Sequence, residues 1–126
     1  MSLFLVAIGG ALGAMARFGV SRWLDDPAGS GIPLATLSVN VVGAFALGLL
    51  LAATRAETAA SEQLRLFLAL GFLGSFTTFS TFSAELVRLA EGGTWLRSTA
   101  YAGVSVGLAV FGVVAGLRLG ALFNKG

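Results

Sequence analysis

The chain has 126 residues, 56% of them hydrophobic and 11% charged, with a net charge of +2 and a mean hydropathy of +0.91. A soluble domain carries roughly 25% charged residues, and one this small leaves about 40% of its unfolded surface in water. This composition therefore excludes a soluble globular fold and makes lipid the solvent. There is no Cys and no His, which removes disulfides, thiol chemistry, imidazole bases and the commonest transition-metal ligands. The eight Lys and Arg are scattered and do not form the dense basic patch of a nucleic-acid binder.

A spanning helix needs roughly 20 mainly apolar residues. Residues 1–16, 27–54, 66–84 and 98–117 carry no charged side chain, and the first run stays apolar past Arg17 to Leu24. The pattern predicts four transmembrane helices, at about 3–24, 32–53, 65–86 and 98–119. Asp25-Asp26-Pro27 through Gly31 reads as a turn cluster, Arg55 to Glu62 as the second loop, and Glu91-Gly92-Gly93 opens the third. Ala14-Met15-Ala16 would also fit a signal-peptide cleavage pattern, but Met1-Ser2-Leu3 supplies no basic n-region.

Topology follows the Lys and Arg near span ends. One side has Arg55, Arg65, Arg118 and Lys125; the other has Arg17, Arg22, Arg88 and Arg97. The balance leaves no positive-inside bias, and its simplest consequence is insertion in both orientations. A chain inserted both ways can pair with an inverted copy of itself, and inverted repeats are a recurrent way to build transport proteins. The alternative is one orientation fixed by a partner.

Polar groups in hydrocarbon need partners or water, and this chain concentrates them. In the second span Thr36, Asn40, Gly43 and Leu47 share a helical face. Asn40 reads either as interhelical glue or as a donor in a pathway. The third span packs six hydroxyl residues and four Phe into residues 71–83. Its Gly, Ser and Thr content makes a poor uninterrupted helix and predicts a break near Gly74–Thr78. Broken backbone at membrane depth is tolerated only within protein or around an aqueous cavity, where freed carbonyls suit a hard cation. Phe76, Phe79 and Phe82 recur at i, i+3 and i+6 and predict a shared face, either for packing or to turn electropositive ring edges toward an anion.

In the fourth span Ser98, Tyr101 and Ser105 form a short hydroxyl track. Gly9-x-x-x-Gly13, Gly103-x-x-x-Gly107 and Gly112-x-x-x-Gly116 predict close helix contacts. Arg17 either snorkels to the interface or draws anions into a vestibule. Glu85 caps the end of the third span in the same way and is free by position to pair with an Arg. No acid lies inside the uncharged runs, which disfavours a proton relay. No activated nucleophile, metal cluster or cofactor motif is visible. What remains is a path lined by neutral donors and aromatic edges, which by itself leaves the sign of the ion open.

Three stretches carry a resemblance: Gly9-Gly10-Ala11-Leu12-Gly13-Ala14-Met15-Ala16-Arg17-Phe18, Thr36-Leu37-Ser38-Val39-Asn40-Val41-Val42-Gly43-Ala44-Phe45, and Gly71-Phe72-Leu73-Gly74-Ser75-Phe76-Thr77-Thr78-Phe79-Ser80-Thr81-Phe82. In order and over essentially the whole chain, they resemble the Fluc (CrcB) fluoride-channel family. The resemblance implies an all-α membrane protein with four transmembrane helices, a break in the third, and assembly as a dual-topology antiparallel homodimer in a bacterial inner membrane. It implies two fluoride pores per dimer and passive F⁻ export that relieves fluoride toxicity. Asn40, Phe79 and Phe82 match pore positions, and Thr81, Tyr101 and Ser105 match polar-track positions. The track lacks a hydroxyl at Ala109, one turn beyond Ser105. Arg17 matches the basic residue of the first motif. Gly74 and Thr77 match positions whose backbone carbonyls hold a structural Na⁺ at the dimer interface. Two rival readings are a small dual-topology multidrug exporter, which needs a membrane-embedded Glu in the first span where this chain has only Arg17, and a structural subunit of a larger membrane complex. The latter would explain the Gly spacings but not the hydroxyl-and-Phe cluster.

Overall fold

The computed structural model describes residues 1–24 and 31–123. The Asp25–Asp26–Pro27 turn and Lys125 lie outside them. Among the described residues the chain is entirely helical, with four helical stretches long and apolar enough to cross a membrane. This is an integral, multi-pass membrane protein. α1 covers Ser2–Leu24 and α2 covers Leu34–Ala53. The third span runs over Ala59–Glu91 in pieces: α3 (Ala59–Leu64), a π-helical run (Arg65–Leu73), a single turn α4 (Gly74–Phe76), and α5 (Phe79–Glu91). The last span, α6, covers Trp95–Phe123.

The expected boundaries hold within two residues for the first two spans and are too short for the others. The loop expected over Arg55 to Glu62 instead turns helical at Ala59, because Thr58 and Ser61 form a capping box. The Thr58 hydroxyl accepts from the Ser61 amide at 3.1 Å, and the Ser61 hydroxyl accepts from the Thr58 amide at 2.9 Å. Arg65 then closes the connection to α2: its Nε donates to Thr54 Oγ1 at 2.8 Å and its Nη2 to the Thr54 carbonyl at 2.6 Å. A cationic side chain on the last carbonyls of a helix is electrostatically favourable. The third connection is tight, with Gly93 at φ +75°, a conformation that glycine adopts without a Cβ penalty.

Two parallel helix pairs build the bundle. Along α1, Gly9 faces the backbone at Phe67, Gly71 and Phe72, and Gly13 faces Phe72. Along α2 and α6, Gly112 faces Val41 and Phe45, Gly116 faces Phe45 and Leu49, and Gly48 faces Val113 and Leu117. A Cβ added at Gly48 would run into the Val113 carbonyl, and one at Gly116 into the Phe45 carbonyl. In lipid there is little hydrophobic drive between helices, so close approach of backbones supplies the association. The Gly9/Gly13 and Gly112/Gly116 spacings are thus used as expected. Gly103 and Gly107 are not: a Cβ at either meets nothing within 4 Å among the described residues.

Candidate functional site

The third span breaks at Thr77 and Thr78, inside the expected window. Both residues are extended, at φ −81°, ψ 159° and φ −152°, ψ 123°. Asn40 of α2 spans the gap with both ends of its amide. Its Nδ2 donates to the Thr78 carbonyl at 3.0 Å, and its Oδ1 accepts from the Thr78 N–H at 2.8 Å. Backbone groups stripped of helical partners in lipid cost several kcal/mol each, so one amide side chain makes the break tolerable. α2 comes close enough because position 43 is Gly, where a Cβ would strike the Thr77 methyl group.

The same break re-routes two donors. An unbroken helix would send the Thr78 N–H to Gly74 and the Thr81 N–H to Thr77. Here the Thr78 N–H goes to Asn40 and the Thr81 N–H to the Thr78 hydroxyl at 3.2 Å. The Gly74 and Thr77 carbonyls lose their helical donors together. A pair of such oxygens suits a hard cation, whose preferred ligands are oxygen atoms.

The Phe stripe expected on one face is split by the break. Phe76 stacks on Phe72 before it, with ring centroids 5.7 Å apart. Phe79 and Phe82 pair after it at 5.8 Å. These two differ sharply: Phe82 is 6% exposed and packs on Tyr101, whereas Phe79 is 78% exposed.

An apolar groove of about 360 Å³ lies between α2, the break and α6. It brings together Asn40, Phe79, Phe82, Ser105, Gly74 and Thr77, and Ala109 and Val113 continue its wall. Asn40 uses one of its two N–H donors on Thr78, which leaves the second for the groove. Ser105 is 5% exposed, and among the described residues the Tyr101 side chain is the polar neighbour of its hydroxyl. A buried hydroxyl short of a full hydrogen bond is costly, so an acceptor in the groove would be welcome there. Beyond Ser105 the wall is Ala109 and Val113, and the hydroxyls end there.

Three other candidates stand outside this groove. Thr81 is exposed and shares a hydrogen bond with the Thr78 hydroxyl at 3.0 Å. Tyr101 reaches Glu85 instead: its hydroxyl donates to Oε2 at 2.9 Å, while Thr36 donates to Oε1 at 2.7 Å. Glu85 therefore does not pair with an Arg, because two buried hydroxyls from α2 and α6 already occupy its carboxylate. This Thr36–Glu85–Tyr101 bridge was not foreseen; the signal for it was Thr36 on the Asn40 face and Tyr101 on the hydroxyl track. Ser98 completes that track by donating to the Leu86 carbonyl at 2.9 Å. Arg17 approaches the break from α1, where its Nε donates to the Ser75 carbonyl at 3.1 Å.

Residues 4–117 match the family described as CrcB-like protein, Camphor Resistance (CrcB). The chain belongs to the CrcB-like family. A relative from Rhizobium johnstonii, named Fluoride-specific ion channel FluC, is 45% identical over 115 residues, 91% of this chain and 92% of the relative. Proteins of the same name from Thermus thermophilus and Idiomarina loihiensis are 45% and 44% identical. They cover 92% and 94% of this CrcB-like chain, and 91% and 92% of their own lengths are matched.

Proposed function

We propose that this chain is a subunit of a fluoride-selective channel through which F⁻ leaves the cell passively, and that it is not an enzyme. The observation that carries the reading is the Asn40-clamped break beside a groove that the buried Ser105 also lines, in a chain whose relatives are named fluoride-specific ion channels. Fluoride is small and strongly hydrated, so stripping its water is costly. The free Asn40 N–H, the Ser105 hydroxyl and the ring edges of Phe79 and Phe82 are weakly positive groups that replace part of that water. A narrow bore then rejects larger anions. Tyr101 and Thr81 extend the polar path in this reading, and Arg17 supports the break from α1 through the Ser75 carbonyl.

The working unit in this proposal is an antiparallel homodimer with two pores. Two features support it. Phe79, a pathway residue, is 78% exposed in the single chain, so a second subunit is needed to enclose it. The basic residues remain nearly balanced once Arg17 is counted with the interior, where it meets Ser75. The Gly74 and Thr77 carbonyls would hold a structural Na⁺ between subunits, four oxygens from two chains. Such an ion would supply a positive field beside the anion path.

The test is ion efflux from liposomes holding the purified protein, fluoride against chloride, with the membrane potential clamped by a K⁺ ionophore. Rapid fluoride release with negligible chloride release is expected. Retention of both ions by folded, Na⁺-loaded protein would return the exporter and structural-subunit readings to the front.

A further inference from the structure

One face of α1 carries residues 9, 13 and 17, and each meets a backbone carbonyl region of the third span. Gly9 and Gly13 lie so close to the Phe67 and Phe72 carbonyls that an added Cβ would collide with each oxygen. Arg17, one turn further, donates its Nε to the Ser75 carbonyl at 3.1 Å. The helix that presents these carbonyls is π-helical from Arg65 to Leu73. At its end the Gly74 N–H is shared among the Ala69, Gly71 and Phe72 carbonyls, the first of them five residues back. Such runs are rare, and π-turns are frequent at functional sites.

The geometry of the two helices explains the match. Carbonyls five residues apart point about 140° away from each other around an α-helix of 3.6 residues per turn, so Phe67 and Phe72 could not both face α1. The wider π turn brings them back to one side, opposite glycines that α1 spaces by four. Glycine Cα–H groups facing carbonyls form a weak but recurring interhelical contact. Arg17 adds a full hydrogen bond at the last turn before the chain becomes extended. Ser75 is three residues ahead of Thr78, the residue that Asn40 clamps from α2.

We infer that the Gly9–Gly13–Arg17 face of α1 is a template that fixes the π-helical register of the third span, and that Arg17 is a positioning residue which sets the break through the Ser75 carbonyl. The inference rests on the fluoride-channel reading for its flux readout and goes beyond it. It assigns Arg17 a directional hydrogen bond just ahead of the break, with its charge secondary. Losing the template lets the π run relax toward α-helical bonding, which rotates Thr77 and Thr78 away from Asn40 and misplaces Phe79 and Phe82.

Side-chain chemistry separates this role from attraction of anions by charge. In Gln the amide nitrogen stands as many bonds from Cβ as Nε does in Arg, so Arg17→Gln keeps a donor for Ser75 and removes the charge. Arg17→Met has similar length and removes both. The experiment measures fluoride efflux from liposomes for wild type, Arg17→Gln and Arg17→Met at low and high ionic strength. Alongside it, hydrogen–deuterium exchange is followed over residues 74–82 of the detergent-purified proteins. Expected are flux within about threefold of wild type for Arg17→Gln at both salt concentrations, and at least a tenfold loss for Arg17→Met. Exchange over 74–82 should rise at least tenfold in Arg17→Met alone. Equal losses in both variants that track ionic strength (Debye screening of a charge), with unchanged exchange, would overturn the inference. If Arg17→Met does not assemble, Arg17→Gln decides: wild-type exchange and flux support the template, and a salt-dependent loss with wild-type exchange overturns it. If wild type itself carries no fluoride, the channel reading fails, and the exchange contrast between the variants still decides the template.

Discussion

Before its break, the third span is held through its backbone; after the break, it is held through side chains. Its Phe67 and Phe72 carbonyls lie against Gly9 and Gly13 of α1, and its Ser75 carbonyl takes Arg17. From Phe79 onward, Glu85 takes hydroxyls from Thr36 and Tyr101, and Phe82 packs on the Tyr101 ring. Asn40 joins the two regimes, since its side chain pairs with the backbone of Thr78. The contrast implies that the first half tolerates little change in backbone distance, whereas the second half can be tuned residue by residue.

The largest effect is expected where backbones touch. Gly13→Val places a branched side chain against the Phe72 carbonyl and should abolish monodisperse protein on size-exclusion chromatography. Gly103→Ala, whose Cβ would meet nothing within 4 Å among the described residues, should leave the elution profile intact. Next comes the junction. Asn40→Ala strands a donor and an acceptor of Thr78, at about 1–3 kcal/mol for each unsatisfied group. Thermal unfolding in detergent should move down clearly, and fluoride flux should fall at least tenfold.

The two pore phenylalanines should then separate. Phe82→Ala empties a buried site and should destabilise by about 3–5 kcal/mol, with loss of flux. Phe79→Ile, at a ring exposed in the single chain, should lose flux with little change in the unfolding temperature of the same sample. Equal destabilisation by both would mean that Phe79 is a packing residue. Among the buried side chains the smallest shift is expected for Tyr101→Phe, which removes one donor to Glu85. A loss of about 0.5–1.5 kcal/mol is expected for one hydrogen bond, read from the same unfolding curves.

Most of the architecture was legible because lipid imposes a simple rule on composition. Uncharged runs located the four spans, and the Gly, Ser and Thr cluster located the break. The face of Thr36, Asn40, Gly43 and Leu47 was legible from helical spacing, and Thr36, Asn40 and Gly43 do meet the third span. The π-helical run was not legible: it differs from an α-helix in which amide pairs with which carbonyl, and Arg65–Leu73 has an ordinary apolar composition. The Phe76, Phe79, Phe82 stripe misled because its spacing assumes continuous helix across residues that are extended. The partners of Glu85 were not legible because these hydroxyls lie 49 and 16 residues away in sequence, which no local pattern reports.

The most direct test of the account is fluoride efflux through Phe79→Ile beside wild type, in liposomes prepared from protein with matched elution and unfolding profiles, with chloride efflux as the control. The account predicts rapid fluoride and negligible chloride release for wild type, and at least a tenfold slower fluoride release for the variant. Wild-type fluoride release through Phe79→Ile would contradict the claim that the groove beside the break is the anion path.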